Sequence, residues 1–189
     1  MNLVLAGVYR GSMAHIDLLN EMPGILGLLR FRPQTAKPLM ELAEVLLRGD
    51  SPLTRGEREL IAAQVSKLNS CEFCFNAHGT QAALQLDGGW ETVDAVIADG
   101  DGGPLATRLQ ALLRIAVAVQ AGGRNVTKRL VDTAKAAGAT DTEIHDVVLI
   151  AAAFCMYNRY VDGLATWAPP ERDQYTEAGH RVFTHGYLG

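Results

Sequence analysis

The chain has 189 residues, 48% of them apolar, enough for a hydrophobic core and for unaided folding as one domain over residues 1–189. Its 17 basic and 21 acidic residues include no Lys/Arg block, which argues against nucleic acid as a partner. Three cysteines are an odd number and too few for a disulfide framework, so any close pair among them asks for a chemical explanation.

In chain order, the N-terminal MNLVLAGVY is apolar but has no basic flank and no small-residue cleavage pattern, which argues against a secretory signal and for a cytoplasmic location. A looser segment containing MPGILGLL follows. From there apolar residues recur at three- and four-residue spacing, and no stretch alternates with period two, so the expected fold is all-α. We expect helices near 37–48, 54–69, 72–86, 90–99, 105–121, 126–137 and 141–166. Thr54 with Glu57 and Thr140 with Glu143 fit the reciprocal capping box that opens a helix. Gly88, Gly89, Gly100, Gly122, Gly123 and Gly138 each follow a periodic segment and mark helix ends. The uncharged run VVLIAAAFCMY, Val147 to Tyr157, is about half of the ~20 residues that span a bilayer, and reads as a buried helix rather than a membrane segment. After Trp167 two prolines end the helical pattern, and a polar, partly helical tail follows from about residue 168. Glu143 to Gly163 loosely echoes Glu59 to Gly79, an echo too weak by itself to establish duplication.

The stretch SCEFCFNAHG, residues 70–79, carries most of the chemistry. Helical residues three apart lie on one face with Cα atoms about 5 Å apart, within the reach of a disulfide, so Cys71 and Cys74 can open and close a bond. Asn69 and Ser70 suit a helix break and restart, which places the pair in the first turn of a new helix. Unpaired N–H groups there favour a thiolate, the attacking form of the sulfur. His78 lies one turn beyond Cys74 on the same face and is a candidate proton carrier. If the helices at 54–69 and 72–86 fold back as a hairpin, Glu59 and His78 fall at similar distances from the turn, within the span of a glutamate side chain. Glu57 belongs to the capping box at an exposed helix start, so we assign the relay as Glu59 to His78 to Cys74.

Other readings of the trio are weaker. A zinc site lacks the second C-x-x-C or H-x-x-x-H, and His78 supplies only a third ligand. The thioredoxin-type motif follows a strand, whereas a helix precedes this one. Inert core cysteines remain an alternative, against which the spacing to Glu59 counts. Cys155, inside the most apolar helix, reads as core packing. Asn158, Arg159 and Asp162 read as anchors of a helix end or an oligomer contact, and His15, His145, His180 and His185 as surface residues. Trp90 and Trp167 read as core or interface anchors.

The run ELIAAQVSKLNSCEFCFNAH, Glu59 to His78, resembles the signature of the alkylhydroperoxidase D-like branch of the carboxymuconolactone decarboxylase superfamily: a glutamate, eleven residues, C-x-x-C, three residues, a histidine. LLRGDSPLTRGERELI and AAFCMYNRYVDGL resemble its peroxidase-related members, so the likeness covers roughly residues 38–165. The resemblance implies an all-α fold of helical hairpins, homo-oligomeric assembly, and a thiol peroxidase activity that reduces hydroperoxides without haem, metal or other cofactor. It makes Cys74 the peroxidatic cysteine, Cys71 the resolving one, and Glu59 with His78 the proton relay. It also implies an external dithiol reductant, lipoamide-like or thioredoxin-like. One position departs: Phe73 stands between the cysteines where the best-studied type carries a histidine. The competing function is a non-peroxidatic dithiol oxidoreductase or redox sensor using the same pair, and a third is a binding module with structural cysteines. Members of the decarboxylase branch usually lack the cysteine pair.

Overall fold

The helical periodicity is realised as nine α-helices in a computed structural model that describes residues 14–99 and 105–189. They are α1 (Gly24–Phe31), α2 (Pro33–Arg48), α3 (Arg55–Leu68), α4 (Glu72–Ala83), α5 (Gly89–Asp99), α6 (Thr107–Ala121), α7 (Lys128–Ala136), α8 (Asp141–Gly163) and α9 (Thr176–His185). Single 3-10 turns occupy Gly123–Asn125 and Arg172–Tyr175. The described residues contain no strand, so the all-α expectation holds. The apolar start MNLVLAGVY and Gly100 lie outside the described residues. No helix among the described residues is long and apolar enough to cross a membrane.

Differences from the sequence expectation have local causes. The MPGILGLL segment forms α1. The next helix begins at Pro33 rather than 37, because a proline at the first helical position has its φ preset and no N–H to leave unpaired. Pro38 is then carried inside α2 rather than starting it. At the other end, α8 stops at Gly163 rather than 166, and Ala165 turns the chain with φ +50.

α3 is the central element, buried from Gly56 to Ser66 on every side. Its apolar residues Leu60, Ile61, Ala62, Ala63 and Val65 join one large cluster with Leu112, Leu113 and Ile115 of α6 and Val147, Ile150 and Phe154 of α8. Burial of a Leu or Ile side chain contributes about 1.5–3 kcal/mol. A capping interaction contributes about 1 kcal/mol. The packing of α3 therefore outweighs its cap, which fixes where the helix begins. Both predicted capping boxes form, Thr54 with Glu57 and Thr140 with Glu143.

Total burial of α3 forces its charged residues to find partners, since an unpaired buried charge is costly. Arg58 donates to the carbonyls of Gly49 at 2.8 Å and Leu46 at 3.2 Å, closing the α2–α3 connection. Glu57 is not at an exposed helix start as expected. It is 8% exposed and accepts from Arg108 of α6, which also donates to Glu143 of α8. One guanidinium thus joins the capping glutamates of both boxes.

A second, smaller cluster forms where the N-terminal segment meets the α3–α4 turn: Leu18, Leu28, Cys71, Phe73, Cys74, Val161 and Tyr175. Backbone bonds from His15 to Leu164 and from Gly24 to Trp167, both 2.9 Å, tie that segment to the chain leaving α8.

Candidate active site

The α3–α4 turn closes as a Schellman motif. Cys71 N–H donates to Ser66 O at 3.0 Å and Ser70 N–H to Lys67 O at 2.9 Å, with Ser70 in the left-handed position at φ +62 where glycine is usual. Cys71, the last residue of that motif, is at once the N-cap of α4. Cys74 is then the third helical residue, so the two cysteines hold the same N-cap and N3 positions through which Thr54 meets Glu57. Cys71 caps no backbone N–H, and its thiol instead hydrogen-bonds the Cys74 sulfur.

A polar network fixes this turn from outside. Asn158 of α8, fully buried, accepts from Asn69 Nδ2 at 2.8 Å and donates to Ser66 Oγ at 3.0 Å, while Gln120 of α6 donates to Asn69 Oδ1 at 3.0 Å. Asn158 is therefore an anchor for the helix turn. Cys155, partly buried rather than enclosed, takes a long 3.6 Å contact from Asn69 Nδ2.

Electrostatics bear on the Cys71 sulfur. The Cys71 thiol is pushed far up from its ordinary value, first by its hydrogen bond to Cys74, then by burial, with a further hydrogen bond to Asp162 in the same direction. For Cys71 this reverses the lowering expected of a helix start. Desolvation raises the Asp162 carboxyl and the Cys71 hydrogen bond pulls it back down, which brings a residue read as a helix anchor into contact with the pair.

The Glu59–His78 contact expected from spacing is present. His78 Nδ1 lies 2.7 Å from Glu59 Oε2, and Glu59 is 2% exposed. The His78 ring packs edge-on against Phe154, centroids 4.5 Å apart, which holds its plane. A carboxylate facing Nδ1 accepts a hydrogen bond from Nδ1–H, the tautomer in which Nε2 is free to accept.

A contact that spacing does not foretell comes from Tyr187. Its hydroxyl donates to Glu59 Oε1 at 2.6 Å and stands 3.3 Å from His78 Nδ1. Periodicity shows where a tail is helical but not where it docks, so the polar, partly helical tail carries no sign of this contact in its spacing. Gly179 lets α9 approach α4, since a Cβ there would lie 2.7 Å from Thr80 Cγ2, and Gln81 Nε2 donates to Gly179 O at 2.7 Å.

Cys74 and His78 line a cavity of about 190 Å³ whose walls are mostly apolar, among them Leu26, Leu39, Phe154 and Val182, with Gln81, Gln174 and Arg181 also on the lining. Cys71 is fully buried behind Cys74 and does not reach it. Phe73 faces the N-terminal segment: its ring covers Gly24, where a Cβ would fall 2.1 Å from the ring, and it packs on Tyr175 with centroids 5.7 Å apart. No group of three or more His, Cys, Asp or Glu among the described residues is placed to hold a metal ion.

A family model described as the carboxymuconolactone decarboxylase family matches residues 33–101 and 85–168. Among solved structures, an uncharacterized peroxidase-related protein from Silicibacter sp. TM1040 superposes with a TM-score of 0.77 at 21% identity, covering 90% of this chain and 98% of that one. An uncharacterized peroxidase-related protein from Ralstonia eutropha JMP134, described as an alkylhydroperoxidase AhpD core, gives 0.71 at 25% identity over 84% of this chain and 81% of that one. A protein of unknown function from Agrobacterium tumefaciens, described in connection with AhpD antioxidant defence, gives 0.66 at 21% identity over 78% and 99%. Comparison with proteins of curated function gives no match.

Proposed function

Since the chain belongs to the carboxymuconolactone decarboxylase family, whose name covers more than one chemistry, we propose that its site groups select the peroxidase type, a thiol-dependent reduction of hydroperoxides. The observation that carries this reading is the Cys71–Cys74 contact beside a mostly apolar cavity, with His78 one turn along the same helix and paired to Glu59 of α3. The peroxidase-related neighbours support it.

In the cycle, His78 takes the Cys74 proton. The thiolate then attacks the outer peroxide oxygen, the O–O bond breaks, and the alkoxide leaves as alcohol with the proton returned by His78. Cys74 becomes a sulfenic acid, two electrons oxidised. Cys71 condenses with it, releasing water and forming the disulfide. An external dithiol restores both thiols by exchange and is itself oxidised.

The cavity directs the choice of peroxide. A dry apolar cavity of about 150 Å³ accepts a benzene-sized ligand. The site at Cys74 is somewhat larger and mostly apolar, which favours organic hydroperoxides over hydrogen peroxide.

The test is the rate and stoichiometry of the reaction of reduced protein with cumene hydroperoxide and with hydrogen peroxide, followed by mass analysis of the peptide containing Cys71 and Cys74. The expected result is one equivalent consumed per pair, faster for the organic peroxide. Cys74→Ser should abolish turnover, and Cys71→Ser should leave a trapped sulfenic acid. Dithiol exchange without peroxide consumption would replace this reading by that of a dithiol oxidoreductase.

A further inference from the structure

The end of the chain reaches the relay by a built connection. Glu44 of α2 accepts the Tyr187 backbone N–H at 2.7 Å, and Arg48, one turn further, lies 3.4 Å from Glu44 and donates to Phe183 O at 3.3 Å. Gly186 makes the corner at φ +82, and a Cβ there would fall 2.6 Å from Glu44 Oε2, so no other residue fits without moving the latch. These bonds carry the Tyr187 ring to lie roughly parallel to His78, centroids 6.1 Å apart with a 25° tilt, and its hydroxyl to Glu59 Oε1.

We propose that Tyr187 is a positioning residue of the Cys74 site, one that commits Glu59 Oε1 to the phenol so that Oε2 stays on His78 Nδ1 and Nε2 is left to serve the sulfur. A carboxylate with one oxygen unfilled in a buried pocket rotates toward any donor it can find. Occupying Oε1 removes that freedom. Burial, reinforced by the Glu59 charge and its hydrogen bond, pushes the Tyr187 phenol well above its ordinary range, so it remains a donor wherever a thiol peroxidase would work. The charged and titratable groups facing this assembly include Glu44 and Arg48 from α2, Glu59 from α3, His78 and Cys74 from α4, Tyr157 from α8, Tyr175 from the second 3-10 turn and Arg181 from α9.

The inference rests on Cys74 as the reacting thiol, and its test does not require peroxide. The rate of Cys74 alkylation by iodoacetamide is followed from pH 5 to 9 by mass analysis of its peptide, in the wild type, Tyr187→Phe and Tyr187→Ala. Tyr187→Phe keeps the ring and the latch and removes only the donor. The expected result is that both variants alkylate more slowly at neutral pH, on the order of ten-fold, the usual scale for losing a group that orients a catalytic one. The midpoint of both profiles should move together. Gly186→Ala, which dislodges the latch with the phenol intact, should reproduce the change. Should Tyr187→Phe follow the wild-type profile while only Tyr187→Ala departs, the residue is packing and the proposal falls. Loss of peroxide turnover in the wild type with this pattern intact would remove the proposed reaction and leave the role of Tyr187 standing.

Discussion

Glu59 Oε2 and His78 Nδ1 stand 2.7 Å apart across the α3–α4 hairpin, the carboxylate buried and the ring wedged against Phe154. This pair decides which imidazole nitrogen carries a proton. Glu59→Gln preserves shape but offers Nδ1 an amide N–H in place of a carboxylate oxygen. The ring then protonates Nε2 and loses its acceptor toward Cys74. The expected outcome is a fall in peroxide turnover of about 10²-fold or more, the usual contribution of a positioned general base. Steady-state consumption of an organic hydroperoxide measures it, with circular dichroism showing an unchanged helix content.

Cys71 gives a pH dependence with a definite sign. Its folded-state pKa is raised, chiefly by the hydrogen bond to Cys74 and by burial, above an unfolded value of about 8.5. Below that pH both states hold the proton and the native contact is fully stabilising. Above it the unfolded chain releases a proton that the folded chain keeps, so stability falls as pH rises. The slope from one such group is at most about 1.4 kcal/mol per pH unit. The reduced protein should therefore lose urea resistance between pH 8 and 10, and Cys71→Ala should lose less over the same interval. In limited alkylation of the reduced protein, Cys74 is expected to be labelled before Cys71, because only Cys74 lines the cavity.

What was legible in the sequence follows from how far each contact reaches along the chain. The capping boxes, the α3–α4 hairpin and the Glu59–His78 pairing depend on helical rise and one short turn, and spacing predicted them. Tyr187 meets Glu59 across 128 positions through a latch on α2, and no periodicity encodes that. Phe73 illustrates a different limit. Its sequence position marks a departure from a polar family residue, while its physical role, covering the left-handed Gly24 and packing on Tyr175, exists only once both ends of the chain are in place. The capping box locates Glu57 at a helix start, yet its burial depends on Arg108 arriving from α6.

Asn158 holds the turn on which the cysteines sit, so its loss should act on both stability and sulfur geometry. Asn158→Ala strands the buried Ser66 hydroxyl and removes an acceptor from the half-buried Asn69 amide, and an unsatisfied buried polar group costs about 1–3 kcal/mol. With the anchor gone, Ser70 is free to leave its left-handed conformation. The expected outcome is a loss of that size in a denaturant titration, together with slower Cys71–Cys74 disulfide formation after oxidation by a chemical oxidant. Normal disulfide closure in a destabilised variant would show that the network supports the fold without placing the pair.

Arg108 joins two helix starts that the chain makes far apart. Glu57 and Glu143 each spend one oxygen on a capping box, Thr54 N–H at 2.8 Å and Thr140 N–H at 2.7 Å, and give the other to the guanidinium. Both carboxylates are buried while the Arg108 side chain is 29% exposed, so water partly screens the charge on one side only. Arg108→Leu keeps apolar bulk against α3 and α8 but leaves two buried negative charges facing each other. Breaking a fully buried pair costs about 3–5 kcal/mol, and the partial exposure here places the expected loss below that range, at about 2–3 kcal/mol. Pairing that loss with Glu143→Gln separates repulsion from missing attraction. If repulsion dominates, the double variant recovers part of the stability lost by Arg108→Leu alone, a coupling that a double-mutant cycle reads directly. Strict additivity would mean that the capping boxes, and not the shared guanidinium, hold these two helix starts in register.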